Sequence, residues 1–332
     1  MGQMSGQVVV VTGASGGVGR AIAVAFARRG AAVALLARGE AGLTGAVADV
    51  EAAGGRALAV ATDVADHDAV EGAAERVETE LGPVDVWVNN AMTTVFSSLD
   101  DLSAEEYRRV TDVTYHGAVW GTMAALRHMR PRNRGSIVQV GSVVAYRAIP
   151  LQSAYCGAKF AIRGFTDSLR TELLAEGSSI RLTMVLLPAV NTPQYGWCRS
   201  KLPRRPRPLA PVFQPEVAAE AVVWSAAHDR RELAVGARAV LAIVGAKFAP
   251  STLDRLLART GISGQQMAAS PVRGERPGNL YEPLDAEEDL GAHGVFDGES
   301  YAASTQLALS TGFAGRPGGA RLLGAAVSRF LG

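Results

Sequence analysis

The chain has 332 residues, of which 48% are hydrophobic, and its formal net charge is +1. This length is ample for a large core, and the near-neutral charge gives no electrostatic case for nucleic acid as a partner. No stretch reaches the roughly 18 uninterrupted apolar residues that a membrane span requires. Two cysteines, Cys156 and Cys198, are too few for a disulfide framework and lack the spacing of metal ligands. We therefore expect a cytoplasmic protein with reduced thiols and no metal site.

Short apolar runs alternate with helical stretches over most of the chain. The runs lie at 8–11, 31–37, 57–64, 84–90, 136–142 and 180–188, and a seventh strand is predicted at 237–245. They are rich in β-branched residues without clear alternation, which is typical of strands buried on both faces. Strands that alternate with helices through short connections predict an α/β fold. The expected architecture is a Rossmann-type doubly wound parallel sheet of about seven strands.

Two segments depart from this pattern. Residues 191–215 are rich in Pro and Arg, and we expect a long excursion that rejoins the domain at a helix. Beyond residue 250 the periodicity decays, so we predict one domain over 1–250 and a C-terminal extension over 251–332. The last residues, 320–332, could form a short amphipathic helix. Such a helix would dock on its own domain or on a sister subunit, or else contact a membrane surface.

The stretch TGASGGVG, residues 12–19, follows the first predicted strand and opens the first predicted helix. Glycines there let the backbone turn sharply and approach a ligand, and the free N–H groups at the helix start face an anion. This context predicts a dinucleotide-binding loop. The loop residues that we expect at the cofactor are Gly13, Ser15, Gly17, Val18 and Gly19.

The second predicted strand ends in LLARGE, residues 35–40. Ala37 occupies the place where NAD-binding folds usually carry an acidic residue for the adenosine ribose. Arg38 follows, and its guanidinium can bind a 2′-phosphate through two parallel hydrogen bonds, with Ser15 adding a hydroxyl contact. The sequence therefore predicts NADP(H) as the cofactor. The alternative is that Arg38 is only a solvated residue at the start of a helix.

Tyr155 and Lys159 are four residues apart in a predicted amphipathic helix, so their side chains share one face, one turn apart. A phenol has a pKa of about 10, and a neighbouring ammonium lowers it by stabilising the phenolate. Such a phenol can donate a proton to a carbonyl oxygen as hydride reaches the carbon, and can accept it back in oxidation. The pair therefore predicts acid–base chemistry, with Tyr155 as the proton donor and Lys159 as the group that lowers its pKa.

The glycine loop, the NNA of residues 89–91, and Ser142 followed by YCGAK at 155–159 together resemble the short-chain dehydrogenase/reductase family. The resemblance covers about residues 5–250. It implies a Rossmann-type core with a seven-stranded sheet, and hydride transfer between a nicotinamide ring and a carbonyl or alcohol. It also implies subunits that pair through helices flanking the active site, so we expect a homo-oligomer, either a dimer or a tetramer.

The resemblance further implies roles for individual residues. Ser142 would bind the substrate oxygen, and Lys159 would also hold the nicotinamide ribose. The residues expected along the cofactor are Asp63 and Val64 at the adenine, Asn89 and Ala91 further along, Pro188, Val190 and Thr192 of PAVNT at the nicotinamide, and Tyr155 and Lys159 themselves.

One residue departs from the family pattern. Thr114 stands where members usually carry an Asn that shapes a helix kink and holds a relay water behind the lysine. A threonine hydroxyl can bind one water but lacks the second polar group of the amide. Thr114 is therefore a candidate catalytic residue with a weakened relay. Tyr115 or His116 could supply a substitute, although His116 could equally be a packed or solvated helix residue.

In the family the segment corresponding to 191–215 folds over the substrate. Its aromatic residues favour an apolar or aromatic substrate face: Tyr195, Trp197 and Phe213. Its cations fit either a solvated loop or an anion-binding lid: Arg199, Lys201, Arg204, Arg205 and Arg207. Across the pocket we expect Val143, Val144, Tyr146 and Ile149. We expect Cys156 to be buried and Cys198, in the loop, to be the more reactive thiol.

These features predict an NADP(H)-dependent oxidoreductase, most simply a ketoreductase, with a small-molecule carbonyl or alcohol as its substrate. Two alternatives stay open. One is an epimerase of the same fold that oxidises and then re-reduces a single carbon. The other is an NADP-binding regulator without catalysis, although the intact set of Ser142, Tyr155 and Lys159 argues against it.

Overall fold

A computed structural model of the protein describes residues 4–271 and 278–312. The strands, in chain order, are β1 (Val8–Thr12), β2 (Ala32–Ala37), β3 (Arg56–Ala61), β4 (Val84–Asn89), β5 (Val95–Phe96), β6 (Ser136–Ser142), β7 (Arg181–Leu187), β8 (Ala189–Val190), β9 (Arg199–Ser200), β10 (Arg204–Pro206), β11 (Val212–Phe213), β12 (Glu232–Ala234), β13 (Gln266–Pro271) and β14 (Ser300–Tyr301). The α-helices are α1 (Gly17–Ala27), α2 (Glu40–Ala52), α3 (His67–Glu80), α4 (Ala104–Thr111), α5 (Gly117–Met129), α6 (Ser153–Ala175), α7 (Gln194–Trp197), α8 (Pro215–Ala227), α9 (Ala237–Phe248), α10 (Pro250–Gly264) and α11 (Thr305–Ser310).

One parallel sheet of seven strands forms the centre of the fold, in the order β12–β7–β6–β4–β1–β2–β3. The chain builds outward from β1 in one direction through β2 and β3, and in the other through β4, β6, β7 and β12. The order therefore reverses between β1 and β4, which is where a doubly wound sheet opens a crevice at its carboxyl edge. The predicted Rossmann-type fold of about seven strands is confirmed.

Strand β1 shows why the sheet is buried on both faces. Val9 and Val11 belong to one hydrophobic cluster with residues of α1 and α8, whereas Val8 and Val10 belong to a second cluster with residues of α3 and α5. Successive side chains of a strand point to opposite faces, so an uninterrupted valine run suits a strand between two helical layers. Full burial of each such side chain is worth about 1.5–3 kcal/mol.

The seventh strand is not where the sequence predicted it. Residues 237–245 lie in α9, and the strand that pairs with β7 is β12. A short apolar run does not distinguish a strand from a helix by its periodicity, and that ambiguity produced the error. Gly236 has a φ of +89°, a conformation that suits glycine, and it turns the chain away from the sheet. Along α9 only Ala239 is buried, so this helix lies at the surface.

The extension begins with regular structure that its sequence did not predict. α10 starts at Pro250, and a Cβ at its Gly261 would overlap the ring of Pro150 on the main domain. Residues 278–297, which we call the strap, also lie on the main domain, and β14 then pairs with β11. The amphipathic helix predicted at 320–332 lies outside the described residues.

Across residues 4–271 and 278–312, no helix is long and apolar enough to cross a membrane. The same part of the chain holds no group of three or more His, Cys, Asp or Glu side chains that could bind a metal ion. Both cysteines are buried. Cys198, predicted to be the more reactive thiol, packs with Phe96 and Leu202 and is only 1% exposed.

Candidate active site

A cavity of about 490 Å³ lies at the carboxyl edge of the central sheet, where β1, β2, β4, β6 and β7 end. Arg38 follows β2 and Ser142 ends β6, three strand spacings away. Neighbouring strands are about 4.8 Å apart, so these two positions are separated by about 14 Å across the sheet. We call the two regions the Arg38 end and the Ser142 end of the cavity.

Most of the site residues predicted from the sequence line this cavity. Those expected at the cofactor are Gly13, Ser15, Gly17, Val18, Gly19, Arg38, Asp63, Val64, Ala91, Pro188, Val190 and Thr192. Those expected to take part in the chemistry are Ser142, Tyr155 and Lys159. Asn89 and Thr114 were predicted beside them but do not line the cavity.

The conformation of the glycine loop is fixed by its own backbone and by the amide side chain of Asn90. Gly13 and Gly17 have φ values of +66° and +54°, and a Cβ at Gly19 would overlap the Gly13 carbonyl. The Asn90 amide donates to the carbonyl oxygens of Thr12 at 2.9 Å and Gly13 at 3.2 Å. These contacts aim the positive N-terminus of α1 into the cavity, as an anionic ligand requires.

Asn90, and not Asn89, is the asparagine of the NNA stretch that reaches the cavity. Asn89 is buried, and its amide accepts from Trp87 Nε1 and donates to Thr122 Oγ1, both at 2.9 Å. Adjacent residues at a strand end face opposite ways, so a shift of one position exchanges a core residue for a cavity residue. The Asn89 side chain therefore lies in the core, whereas Ala91 lines the cavity.

Three polar side chains meet at the Ser142 end. The Ser142 hydroxyl donates to the Leu187 carbonyl and accepts from the Val144 N–H, both at 3.3 Å. Tyr155 and Lys159 lie in the first turns of α6, and Lys159 Nζ is 5.6 Å from the centroid of the Tyr155 ring. Lys159 Nζ also donates to the Val140 carbonyl at 2.7 Å. The i, i+4 pair and the serine thus share one region, as their spacing predicted.

Burial governs the ionisation of this pair. It raises the pKa of Tyr155 far above its ordinary value, with a further rise from the neighbouring Cys156 and only partial relief from the Ser142 hydroxyl. Burial also lowers the pKa of Lys159 to about 8. The sequence predicted a lowered pKa for Tyr155, but the net direction is upward because desolvation of the phenolate outweighs its stabilisation. The phenol is therefore held in its protonated form.

Thr114 lies in a π-helical turn, Asp112–His116, directly before α5, so the helix irregularity expected at this place is present. The side chain is fully buried. Its hydroxyl donates to the Thr93 carbonyl at 3.0 Å and accepts from the Thr93 N–H at 3.1 Å. A hydroxyl has one proton, and here the backbone of Thr93 receives it. The geometry therefore gives Thr114 a positioning role and does not support a direct place in a proton relay.

The two proposed substitutes for the family asparagine are held by other contacts. The His116 ring pairs with Asp112, with 2.9 Å between Nδ1 and Oδ1, and stacks on Trp120 at 5.8 Å between centroids. Tyr115 packs edge-on against Phe165. Neither residue lines the cavity. The contacts of His116 therefore fit a packed helix residue and not a substitute for the family asparagine.

The Arg38 end is strongly charged. Asp63 forms an ion pair with Arg109 and lies 4.0 Å from Arg38 Nη1. Burial tends to raise the pKa of Asp63, but the hydrogen bonds from Arg109 and the Ala65 N–H, together with the charges of Arg109 and Arg38, outweigh it, so the pKa lies below its ordinary value. Arg38 Nη1 donates to the Tyr281 carbonyl at 2.6 Å, and Nη2 donates to the Asn279 carbonyl. A guanidinium has five N–H donors, so Arg38 retains donors for a ligand.

The Ser142 end opens into an apolar chamber. Its apolar lining comprises Val143, Val144, Ile149, Leu209, Leu253 and Leu257. Tyr195 packs against the rings of Phe96 and Phe296. Burial raises the pKa of Tyr195, and the nearby Tyr155 contributes to that rise. Tyr146, predicted to line this pocket, instead donates to the Glu232 carboxylate at 2.7 Å and lies outside it.

The loop of residues 191–215 is fastened to the domain by ion pairs. Arg199 and Lys201 both bind Glu106 at the start of α4, with 2.8 Å for the Lys201 pair. Arg207 lines the cavity and pairs with Glu299. Arg204 and Arg205 are exposed, as a solvated loop would have them. Of the five loop cations that the sequence offered for an anion-binding lid, Arg207 is the one that lines the cavity.

The residues that sequence reasoning missed come mainly from beyond position 250. α10 contributes Leu253, Leu256 and Leu257 to the cavity, and the strap contributes Asn279, Pro283 and Asp285. The leucines follow a helical period that could have been recognised. The strap has no periodic pattern, so no local signal connects it to the site.

The fold and the cavity define a dinucleotide-binding oxidoreductase architecture. A family model described as short chain dehydrogenase matches residues 7–201, more than half of the chain. The chain belongs to the short-chain dehydrogenase/reductase family. An uncharacterized oxidoreductase of Bacillus subtilis strain 168, YxnA, is 34% identical over 294 residues, which is 88% of this chain and 82% of the relative. The putative oxidoreductase SadH of Mycobacterium tuberculosis H37Rv is 32% identical over 265 residues, 78% of this chain and 96% of that relative.

Two solved structures are similar over the main domain. A short-chain type dehydrogenase/reductase from Mycobacterium marinum has a TM-score of 0.62 and 26% identity, covering 70% of this chain and 94% of its own. An alcohol dehydrogenase from the archaeon Thermococcus sibiricus, complexed with 5-hydroxy-NADP, has a TM-score of 0.61 and 30% identity, covering 69% of this chain and 95% of its own. Each structure therefore leaves about 30% of this chain without a counterpart.

Proposed function

We propose that the protein is an NADP(H)-dependent oxidoreductase that transfers hydride between the nicotinamide and a carbonyl or secondary alcohol, most simply as a ketoreductase. The observation that carries this proposal is the meeting of Ser142, Tyr155 and Lys159 at one end of a cavity whose other end holds a glycine loop and Arg38. Family membership supports a nicotinamide cofactor. The similar alcohol dehydrogenase complexed with 5-hydroxy-NADP supports the choice of cofactor and of substrate class.

The residues present fit such a cofactor. The glycine loop leaves a backbone cradle in which a Cβ at Gly19 would collide with the loop itself. The Lys159 ammonium uses one of its three donors on the Val140 carbonyl, which leaves two for ribose hydroxyls. Arg38 offers a fork for a 2′-phosphate, and Ala37 places no carboxylate beside it on β2. When bound, the nicotinamide would supply or accept the hydride.

The protein's own part in the reaction is binding, orientation and proton transfer. In reduction, the Ser142 hydroxyl and the Tyr155 phenol would both donate to the substrate carbonyl oxygen. Burial holds Tyr155 protonated, so the phenol carries the proton that this oxygen takes up as the carbon is reduced. The Lys159 ammonium would then stabilise the phenolate until a proton from solvent restores the phenol.

The chamber at the Ser142 end favours an apolar ketone. Its wall combines valine, isoleucine and leucine side chains with the ring of Tyr195. Two amides interrupt this wall, Gln152 and Gln265, and they bond to each other at 2.7 Å. A substrate with an apolar body and one reducible carbonyl would thus bury its body in the chamber and direct its oxygen to Ser142 and Tyr155.

The test follows the hydride itself. The purified full chain is incubated with NADPH deuterated at C4 of the nicotinamide and a panel of apolar ketones, and the products are analysed by mass spectrometry. We expect alcohols that carry one deuterium at the carbinol carbon. Interconversion of substrate epimers without net reduction would indicate an epimerase instead. Binding of NADPH without transfer to any carbonyl compound would indicate a regulator and would contradict the proposal.

A further inference from the structure

The strap, residues 278–297, covers the Arg38 end of the cavity and bonds to groups that would otherwise face an anionic ligand. Its carbonyls at Asn279 and Tyr281 accept from the Arg38 guanidinium. Its carbonyl at Gly291 accepts from the Gly17 N–H in the glycine loop at 3.1 Å. The strap thus forms hydrogen bonds with both the Arg38 side chain and the glycine loop of the proposed dinucleotide-binding region.

Asp285 is a buried residue of the strap that lies at the start of α2. Its carbonyl accepts from the Gly42 N–H at 3.0 Å, and the next carbonyl, of Ala286, accepts from the Ala41 N–H at 3.2 Å. Its carboxylate packs against Gly39 and Gly42, where a Cβ on either glycine would overlap it. The strap therefore places both a carboxylate and carbonyl oxygens at a helix N-terminus beside Arg38.

The carboxylate of Asp285 is buried and incompletely bonded. The residue is 6% exposed and lines the cavity. Among the described residues, no hydrogen-bond donor reaches its Oδ2 atom, which is fully buried. An unpartnered buried acceptor costs free energy, so a ligand that donates a hydrogen bond there would be favoured. Asp285 also lies near enough to Arg38 to act on it electrostatically.

We propose that Asp285 is a specificity-determining residue that sets the preference of this pocket between a ribose 2′-hydroxyl and a 2′-phosphate. The inference rests on the proposed function, in which Arg38 binds the 2′-phosphate of NADP(H). A 2′-hydroxyl can donate to Oδ2 of Asp285. A 2′-phosphate offers only negative oxygens, so it competes with the carboxylate for Arg38 and for the N-terminus of α2. Asp285 thus lowers the preference for NADP(H) over NAD(H) that Arg38 alone would confer.

The experiment uses adenosine fragments, which report this end of the cavity without any turnover. Dissociation constants of 2′,5′-ADP and of 5′-AMP are measured by calorimetry for the full chain and for Asp285→Asn, which keeps the shape and removes the charge. We expect the variant to bind 2′,5′-ADP about tenfold more tightly, or about 1.4 kcal/mol. Binding of 5′-AMP should weaken or stay within about threefold, because a neutral amide is a poorer acceptor.

The matched control is Asp289→Asn in the same strap. Asp289 pairs with the buried Arg20 and does not line the cavity, so this variant loosens the strap without changing the charge near the ribose pocket. We expect it to change the affinities for the two fragments by the same factor. If Asp285→Asn also changed the affinities for 2′,5′-ADP and 5′-AMP by the same factor, closure of the strap alone would explain the effect. That result would overturn the proposal. No change in either fragment would overturn it too.

Two further measurements keep the outcomes distinct. Asp285→Ser also removes the charge but has a smaller side chain than Asn. Thermal unfolding of each strap variant checks that it retains the fold. If Arg38→Ala leaves 2′,5′-ADP binding intact, the assignment of Arg38 fails, whatever Asp285 does. Failure of the Asp285 proposal leaves the deuterium-transfer test of the proposed function unaffected.

Discussion

The two ends of the cavity are assembled in different ways. The reacting groups of the Ser142 end come from a short stretch of chain, the end of β6 and the first turns of α6, and lie within 20 positions of one another. The Arg38 end joins a loop after β2 to carbonyls and a carboxylate from the strap, more than 200 positions later. Local spacing thus determines the reacting groups, whereas a long-range contact shapes the cofactor pocket.

The largest effect should come from the Ser142 end. We expect Tyr155→Phe to lower kcat for ketone reduction by about 10²–10⁴-fold, because the proton donor is lost while the ring remains. The dissociation constant for NADPH should stay nearly unchanged, as the cofactor pocket is intact. Steady-state kinetics and fluorescence titration would measure the two quantities.

The matched control is Tyr107→Phe on α4, the same chemical change at a half-exposed position outside the cavity. It should leave kcat unchanged. If Tyr155→Phe kept the wild-type kcat, Tyr155 would not be the proton donor, and the assignment of proton transfer to the Ser142 end would be wrong.

At the other end, Arg38→Ala should weaken NADP⁺ binding by about 10- to 100-fold, since hydrogen bonds to a charged group are worth about 1.5–3 kcal/mol. NAD⁺ binding and kcat at saturating cofactor should change much less. Arg205→Ala, which removes an exposed arginine of the 191–215 loop, is the control for net charge. Equal losses for NADP⁺ and NAD⁺ would contradict a role in 2′-phosphate recognition.

A pH profile tests the Ser142 end without a substitution. The pKa of Lys159 is lowered to about 8 by burial, so its ammonium is present below that pH and is lost above it. If the ammonium binds the cofactor, kcat/KM for NADPH should be flat near neutrality and fall about tenfold per pH unit above about 8. Tyr155 should add no limb there, because its pKa is raised. A flat profile from pH 7 to 9.5 would contradict this role of Lys159.

The smallest catalytic effect should come from Thr114, which does not line the cavity and bonds to the backbone of Thr93. Thr114→Val removes two buried hydrogen bonds and should lower the free energy of unfolding by about 1–3 kcal/mol. Thr114→Ser keeps the hydroxyl and should be milder. Thr114→Asn restores the family residue. If it raises kcat and alters the pH profile, a relay through this position would be supported after all.

The sequence indicated the reacting groups of the Ser142 end because their signals are local. An i, i+4 pair and a serine at a strand end each depend on a few neighbouring residues, and so does the glycine loop at the Arg38 end. The sequence did not reveal that the Asn90 side chain reaches the glycine loop while that of Asn89 lies in the core, because the geometry of the strand end decides which of two adjacent side chains faces the core. The pKa of Tyr155 was predicted in the wrong direction, because spacing reveals the neighbouring charge but not the depth of burial.

The Arg38 end was predicted only in part. Arg38 itself lines the cavity, as expected, but its partners on the strap left no periodic signal in the sequence. A similar limitation affected residues 237–245, where an apolar run fitted either a strand or a helix by its periodicity and the structure has a surface helix. The homo-oligomer, the domain boundary at 250 and the roles of the site residues stay predictions.

The position of the strap late in the chain has a consequence for biogenesis. The last strand of the sheet, β12, leaves the ribosome about 50 residues before Asp285, and at about 5–20 residues per second the interval is about 3–10 s. During that time the sheet can fold around an open cleft, with Gly17 and Arg38 still facing solvent. A ligand of the glycine loop therefore has access to the cleft before the strap covers it, and the order of synthesis sets when that access ends.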